Sequence, residues 1–263
     1  MFTHAQTSPT ALTQPWRLPP RGLAVFHGEH HAPRLSHYFM PRLALEGKRI
    51  LFLDGANCAN PRLMARLAER RGMPFAQFNQ QIMLARAFTC FQLTELVSRV
   101  PQFLAEFPAE VVMVTAFPEL YFDEDVRQAD AQAAFQQALK ALTIADGRLT
   151  IDPIDHRQSH SIDNRQSSIV DSQSPAPRPQ HPAVTVALFS AASSFQPPAG
   201  RKLFFAQTCA AATELWKFQT DEQGRLGLVQ QGKGLGDGDW GLEKKPVALT
   251  FRSASACRPN VPT

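Results

Sequence analysis

Short apolar segments of strand length alternate with helix-like segments over the first half of the chain, and this alternation constrains the fold most strongly. The strand-like runs are residues 23–27, 48–54 and 111–114. In the segments between and after them, apolar residues recur at helical spacing. Because parallel strands need a crossover connection, usually a helix, this order predicts a mostly parallel α/β sheet flanked by helices.

Helix boundary signals support this interpretation. Asn60 is a favourable N-cap, Pro61 suits the first helical turn, and Gly72 can end the helix. Residues 91–104 predict a second helix, with Pro101 as a point of interruption. Residues 128–144 are rich in Ala, Gln and Leu and predict a third helix.

The second half of the chain predicts strands rather than further alternation. Residues 183–189, 212–218 and 226–230 have strand-like patterns, and a polar turn at 221–224 joins the last two. Strands linked by a short turn pair antiparallel. We therefore expect an antiparallel extension at one edge of the sheet.

Composition shifts divide the chain into five parts. We expect a polar leader over 1–21, the first part of the core over 22–155, a disordered insertion over 156–182, the last core strands over 183–232 and a flexible tail over 233–263. The insertion is dominated by Ser, Gln, Asp, Arg, Pro and His, and so it buries too little apolar surface to offset its ordering entropy.

Overall composition excludes several classes of protein. The 263 residues carry a net charge of only +4, which permits nucleic-acid contact without requiring it. The four cysteines form no C-x-x-C pair, which favours a reducing compartment. Neither a membrane-spanning apolar run nor a signal-peptide pattern is present in the sequence, so we expect a cytoplasmic protein.

The segment Gly28–Leu35 occupies the position of a phosphate-binding loop, between the first strand and a helix. A P-loop reads G-x-x-x-x-G-K-[ST] and wraps phosphate oxygens with backbone N–H groups. Here Pro33, Arg34 and Leu35 replace the second glycine, the lysine and the hydroxyl residue. Proline has no N–H, leucine cannot offer an oxygen to magnesium, and arginine binds phosphate as a planar fork.

The order of these segments resembles the ATPase core of RecA/RadA-type recombinases. The residues that carry the resemblance are Gly28-Glu29, the strand 49–54 ending in Asp54, the segment 84–89 (Leu-Ala-Arg-Ala-Phe-Thr) and residues 211–215. It covers about Gly22 to Gln230 without the insertion. The resemblance implies a RecA-like P-loop NTPase fold.

Transferred by position, the resemblance assigns degenerate nucleotide-binding roles to Gly28, Glu29, Arg34 and Asp54. Ala56 stands where the glutamate that activates water is expected. Thr115 stands where the metal-supporting aspartate is expected. Because phosphoryl transfer needs a lysine, a metal and a positioned water, these departures predict negligible hydrolysis, no catalytic residue and no cofactor.

The resemblance also suggests where DNA would bind. The second DNA-binding loop would fall at 193–202, where Phe195, Arg201 and Lys202 can make a weak aromatic and basic contact with a single strand. The first loop would begin at 123–125, where three acidic residues would repel phosphate. A solvated helix start is the preferred interpretation of that acidic run.

Three further patterns favour plain structural roles. Four histidines, at positions 27, 30, 31 and 37, crowd the loop region without a metal-like set of partners, and we predict no metal site. Residues 236–241 match G-x-G-x-x-G but not in a strand-to-helix context. Arg62, Arg66 and Arg70 can share a helical face, which predicts a solvated surface or, alternatively, a partner or nucleic-acid surface.

These observations predict a catalytically degenerate RecA-like protein that acts by binding, as an accessory factor in DNA repair or recombination. A recombinase, a polymerase or single-stranded DNA would be its partner, and no membrane is involved. One alternative is an unconventional ATPase in which Arg34 holds phosphate and Asp54 or Glu29 serves a magnesium ion. Another is a protein-binding regulator of cell division or of the damage response.

Overall fold

The computed structural model describes residues 18–145, 184–220, 226–231 and 245–251. The predicted insertion at 156–182 and the glycine-containing motif at 236–241 lie outside these residues. Most of the predicted leader also lies outside them.

Eight strands and seven α-helices make up the described part of the chain. The strands are Gly22–His27 (β1), Ile50–Asp54 (β2), Ile82–Arg86 (β3), Val111–Thr115 (β4), Thr185–Ser190 (β5), Glu214–Thr220 (β6), Leu226–Gln231 (β7) and Lys245–Phe251 (β8). The helices are Ala32–Leu45 (α1), Pro61–Glu69 (α2), Phe75–Asn79 (α3), Cys90–Ser98 (α4), Val100–Glu106 (α5), Gln128–Ala145 (α6) and Leu203–Ala211 (α7).

All eight strands belong to one sheet, in the order β3-β2-β4-β5-β1-β6-β7-β8. The pairs from β3 to β6 are parallel, β7 is antiparallel to β6, and β8 is antiparallel to β7. The expected fold class is therefore confirmed: a mostly parallel α/β sheet, flanked by helices, with an antiparallel extension at one edge. This arrangement is consistent with a RecA-like fold.

The central strands are buried on both faces, which explains their continuous apolar runs. Alternate residues of each strand enter two separate cores. One core contains Val25, Leu53 and Val114 and is covered by α4, α6 and α7. The other contains Phe26, Phe52 and Phe189 and is covered by α1, α2 and α3.

Stacked aromatic rings fill both cores. On the α6 side, the rings of Phe135 and Phe204 stack with centroids 4.3 Å apart, and Phe117 and Tyr121 pack against Phe135. On the α1 side, the ring of Phe26 stacks on that of Phe189 at 4.9 Å. Such pairs add to the stabilisation from apolar burial. The first set joins α6, α7 and the segment after β4, and the second joins the neighbouring strands β1 and β5.

Local signals place most helix boundaries correctly. The Asn60 side chain accepts a hydrogen bond from the Leu63 N–H at 3.0 Å, and Pro61 opens α2. The predicted helix over 91–104 is two helices that meet at Arg99, with Pro101 in the first turn of the second. The predicted helix over 128–144 is confirmed as α6.

Four elements were not anticipated from the sequence: α3, β3, α7 and β8. Strand β3 lies at a sheet edge and is only partly buried, so its sequence lacks the apolar run of the inner strands. Strand β8 falls within 233–263, which was predicted to be a flexible tail throughout. That prediction is wrong for Lys245–Phe251, which pair with β7.

Among the described residues, no helix has the length and apolar character needed to cross a bilayer.

Phe135→Ala should lower the free energy of unfolding by about 3–5 kcal/mol, because it leaves a cavity where Phe117, Tyr121 and Phe204 now pack. Phe88→Ala is the matched control. Phe88 is 63% exposed, so its removal should change the free energy by no more than about 0.5 kcal/mol. Urea unfolding of the two variants measures both values, and equal losses would contradict this description of the core.

Candidate nucleotide-binding region

The candidate site lies at the carboxyl ends of the parallel strands, where ligands bind in open α/β sheets. Four residues, Gly28–His31, join β1 to α1, and Pro33 lies in the first turn of the helix. The loop thus has the position that the sequence predicted for a phosphate-binding loop.

Part of the backbone from Gly28 to Leu35 is already hydrogen-bonded within the protein, although no such bond holds the N–H groups of Glu29, His30 and His31. The N–H of Gly28 donates to the Ser190 carbonyl at 3.2 Å, that of Ala32 to the Glu29 carbonyl at 2.8 Å, and that of Arg34 to the His31 carbonyl at 3.0 Å. Pro33 has no N–H. Four of the eight residues from Gly28 to Leu35 therefore cannot donate a backbone hydrogen bond to a phosphate without losing an existing one.

Close packing explains the glycine at position 28. A Cβ atom at Gly28 would lie 3.0 Å from the Cβ of Phe218 on β6. Close packing between the loop and the sheet therefore favours glycine as the first residue of the motif.

Asp54 is fully buried at the end of β2 and is surrounded by donors. Its Oδ1 accepts hydrogen bonds from the Cys58 N–H and the Thr115 hydroxyl, both at 3.0 Å. Its Oδ2 accepts from the Ala59 N–H at 2.8 Å and lies 3.6 Å from Nε of Arg86. The carboxylate is thus satisfied by protein groups on both oxygens.

Thr115 completes this network at the end of β4. Its hydroxyl oxygen also accepts a hydrogen bond from the Ala56 N–H at 3.1 Å. Thr115 and Ala56 hold the positions expected for the metal-supporting aspartate and the water-activating glutamate. The structure brings these positions together, but the groups present there hydrogen-bond to each other and to Asp54.

Arg34 is the one predicted nucleotide-binding side chain with free access to solvent and a cleft beside it. It is exposed and lines an open cleft of about 650 Å³ together with His37, Asn60 and Arg62. A smaller cleft of about 300 Å³ lies on its other side, next to His30 and His31. Glu29 is exposed nearby, and its backbone carbonyl caps the N–H of Ala32.

His37 connects the starts of the two helices that border the larger cleft. Its Nδ1 lies 2.8 Å from the Arg34 carbonyl, and its Nε2 lies 3.2 Å from the Asn60 N–H. A neutral ring protonated on Nδ1 satisfies both contacts. Burial lowers the pKa of His37, which favours this neutral form.

The four histidines do not converge on one point. His27 is buried, with Nε2 2.7 Å from the Gln231 side-chain oxygen and Nδ1 3.3 Å from the Ser193 hydroxyl. His30 is exposed and packs edge-on against Phe195. Within the described ranges, no three His, Cys, Asp or Glu side chains cluster as metal ligands would.

The predicted DNA-binding residues have different surroundings. Phe195 is 48% exposed, and Lys202 is exposed. Arg201 is only 4% exposed, and its guanidinium donates to the backbone carbonyls of Asp123 and Val126. The assignment of Arg201 to DNA contact is therefore corrected: it is a structural residue that holds the turn before α6.

Glu119 is a titratable residue at this end of the sheet that sequence reasoning missed. Its carboxylate accepts hydrogen bonds from the Ala191 N–H and, at 3.2 Å, from the Ser190 hydroxyl. It thereby ties the segment after β4 to the end of β5. Burial raises the pKa of Glu119 to about 7, and these hydrogen bonds only partly oppose the shift. No local motif marks such a residue, because its environment comes from two distant strands.

Cys58 is another buried group of this region. Its Sγ lies 3.5 Å from Oδ1 of Asp54, and burial, with the neighbouring carboxylate, raises the thiol pKa to about 12. The thiol therefore stays protonated at neutral pH and is a poor nucleophile.

No protein-family model matches the sequence, and the search of curated proteins returns no similar protein.

Asp54→Ala should lower the free energy of unfolding by about 3 kcal/mol or more, because it leaves the Cys58 and Ala59 N–H groups and the Thr115 hydroxyl without their acceptor. Asp130→Ala is the control, since it removes an exposed carboxylate paired with Arg127. The control should lose no more than about 1 kcal/mol. Denaturant unfolding measures both, and a loss below about 1 kcal/mol for Asp54→Ala would contradict the structural role.

Glu119→Gln should change how stability depends on pH. The folded protein keeps the Glu119 proton up to about pH 7, whereas the ordinary value is 4.5. The folded state thus binds more protons in this window, so the Glu119 contribution to stability falls as pH rises.

The measurement is the difference in unfolding free energy between Glu119→Gln and the wild type at pH 5, 6, 7 and 8. Taking the difference removes the contributions of His27 and His37, whose lowered pKa values act with the opposite sign. The variant should become more stable relative to the wild type between pH 5 and 7. A constant difference would show that Glu119 titrates in its ordinary range.

Proposed function

We propose that this chain is a catalytically degenerate RecA-like protein that acts by binding, as an accessory factor in DNA repair or recombination. The observation that supports this most directly is the state of the loop Gly28–Leu35. Three of its N–H groups are held by backbone carbonyls, and a fourth is missing at Pro33. Four of the eight positions with which such folds hold a triphosphate therefore offer no free backbone donor here.

The surroundings of Asp54 support the same proposal. A metal-dependent phosphoryl transfer needs a carboxylate with an oxygen directed at the metal or at its water shell. Both oxygens of Asp54 accept hydrogen bonds from the protein, and Arg86 adds a positive charge on the side of Oδ2. Thr115 and Ala56 supply no second carboxylate at the neighbouring strand ends.

The assignment to DNA repair or recombination rests on the resemblance to RecA/RadA-type recombinases. A recombinase, a polymerase or single-stranded DNA is the partner that this proposal implies. The alternative, a protein-binding regulator of cell division or of the damage response, would use the same non-hydrolysing scaffold without DNA.

A second candidate function is nucleotide binding through Arg34. Arg34 is exposed between two clefts, and Arg62 lines the larger one with it. An arginine fork can hold a phosphate where a P-loop lysine is missing. In this alternative, ATP and magnesium would occupy the cleft, and Glu29 would be the nearest exposed carboxylate.

Purified protein should release no phosphate from ATP above background, with or without magnesium and with or without a single-stranded oligonucleotide. Isothermal calorimetry with millimolar ATP should show no saturable heat, because four of the eight positions from Gly28 to Leu35 offer no free backbone donor. Phosphate release that Arg34→Ala abolishes and the distant Arg99→Ala does not would refute the proposal. Saturable ATP binding without release, lost only in Arg34→Ala, would instead establish the second candidate.

A further inference from the structure

The surface formed by α1 and α2 carries an unusual concentration of arginine. Arg62, Arg66 and Arg70 follow one another every four residues and are exposed, so they form a row along one side of α2. The row has a spacing of about 6 Å per step along the helix axis. The opposite side of α2 buries Met64, Leu67 and Ala68 against the sheet.

Three more arginines extend this row into a face. Arg34 stands across the 650 Å³ cleft from Arg62 at the start of α1. Arg71 follows the C-terminus of α2, and Arg42 lies near the end of α1. We call these six residues, Arg34, Arg42, Arg62, Arg66, Arg70 and Arg71, the α1–α2 arginine face.

Little negative charge balances this face. In the described ranges, Arg42 is paired with Glu46 at 3.2 Å, and the other five arginines form no ion pair with a carboxylate. Glu69 is the nearest other acidic residue in sequence and is exposed. Burial and the neighbouring Arg42 charge both lower the pKa of Arg71, so like charges on this face repel each other in the free protein.

A partner that supplies several negative charges would relieve this repulsion. The face lacks lysine and consists of arginines in a regular row, a form suited to planar, bidentate binding of phosphate groups. The amide side chains of Asn57 and Asn60 line the cleft between Arg34 and Arg62 and add neutral hydrogen-bonding groups. Such a set of arginine and asparagine is typical of contacts to a nucleic-acid backbone.

We infer that the α1–α2 arginine face is a binding surface for the sugar–phosphate backbone of single-stranded nucleic acid. This inference deepens the proposed function and rests on it for the choice of partner class. It places the contact on the face of the sheet covered by α1 and α2, on residues other than Phe195 and Lys202. Binding here is electrostatic and tolerant of sequence, and it weakens steeply as salt rises, because the release of counterions from the nucleic acid then gains less free energy.

The test is a salt titration of binding to a fluorescent single-stranded DNA oligonucleotide. In the triple variant Arg62→Gln/Arg66→Gln/Arg70→Gln, affinity at 50 mM salt should fall at least tenfold. The slope of log K against log salt should fall by about 2, since each lost phosphate contact in a single strand is worth about 0.7. All three side chains are exposed, and Gln keeps the helix propensity of Arg, so the fold should be retained.

The matched control is Arg99→Gln/Arg127→Gln/Lys140→Gln, which changes the net charge by the same amount. These exposed cations lie at the end of α4, before α6 and on α6, across the sheet from α1 and α2. The control should bind as the wild type does. Equal losses of affinity in both triple variants would show that only the net charge of the protein matters, and would overturn the inference.

Three other outcomes would also overturn it. One is a wild type that does not bind the oligonucleotide at 50 mM salt. Another is a loss of binding in Phe195→Ala/Lys202→Gln with none in the arginine triple variant. The third is displacement of the oligonucleotide by an equally charged poly-glutamate at equal concentration, which would assign the face to an acidic protein. None of these depends on ATP turnover, so failure of the surface and failure of the non-hydrolysing proposal are separate results.

Discussion

The buried carboxylate of Asp54 organises this end of the molecule. It lies at the end of β2, between the two neighbouring strands β3 and β4, and receives hydrogen bonds from the loop that leads to α2. Thr115 from β4 and Arg86 from β3 reach the same carboxylate. A buried charge is stable only when it is paired and hydrogen-bonded, so these groups are held in one arrangement. The start of α2, with its row of arginines, is positioned by that arrangement.

At the same end of the sheet, protein groups occupy the space between the loops that follow the parallel strands. Loops that could surround a ligand are instead closed by contacts within the protein, from the Gly28 N–H to the Glu119 carboxylate. The exposed guanidinium groups of α1 and α2 face the solvent. The proposal of a protein that acts by binding rests on this distribution of groups.

Sequence reasoning found the elements whose pattern depends on local chemistry. The inner strands were recognisable because burial on both faces requires continuous apolar runs, and α2 because Asn60 and Pro61 are favourable at a helix start. Strand β3 was missed because an edge position tolerates Arg86 and leaves Leu84 42% exposed. Strand β8 was missed because its pairing with β7 joins segments separated by a polar and glycine-rich stretch.

Site residues were harder to predict, because their roles depend on distant neighbours. Arg201 looked like a loop cation available to DNA, but the turn at Asp123–Val126 encloses its guanidinium. The sequence gives no local signal for Glu119. Its raised pKa follows from its burial against the end of β5, which only the structure shows. Gly28 and Asp54 lie at strand ends, as the sequence predicted, and Arg34 lies in the first turn of α1. That protein groups hydrogen-bond both oxygens of Asp54 was visible only in three dimensions.

The contact between Gly28 and Phe218 has a consequence for how such chains change over evolutionary time. A Cβ atom at position 28 would lie 3.0 Å from the Cβ of Phe218, so β6 would have to shift slightly to accept any other residue. Packing alone therefore favours glycine at this position, whatever the loop binds. Pro33 is buried in the first turn of α1, and Leu35 packs against the core on that side of the sheet, so packing bears on these positions as well. A glycine that matches one position of a binding motif can thus be explained by packing rather than by ligand binding.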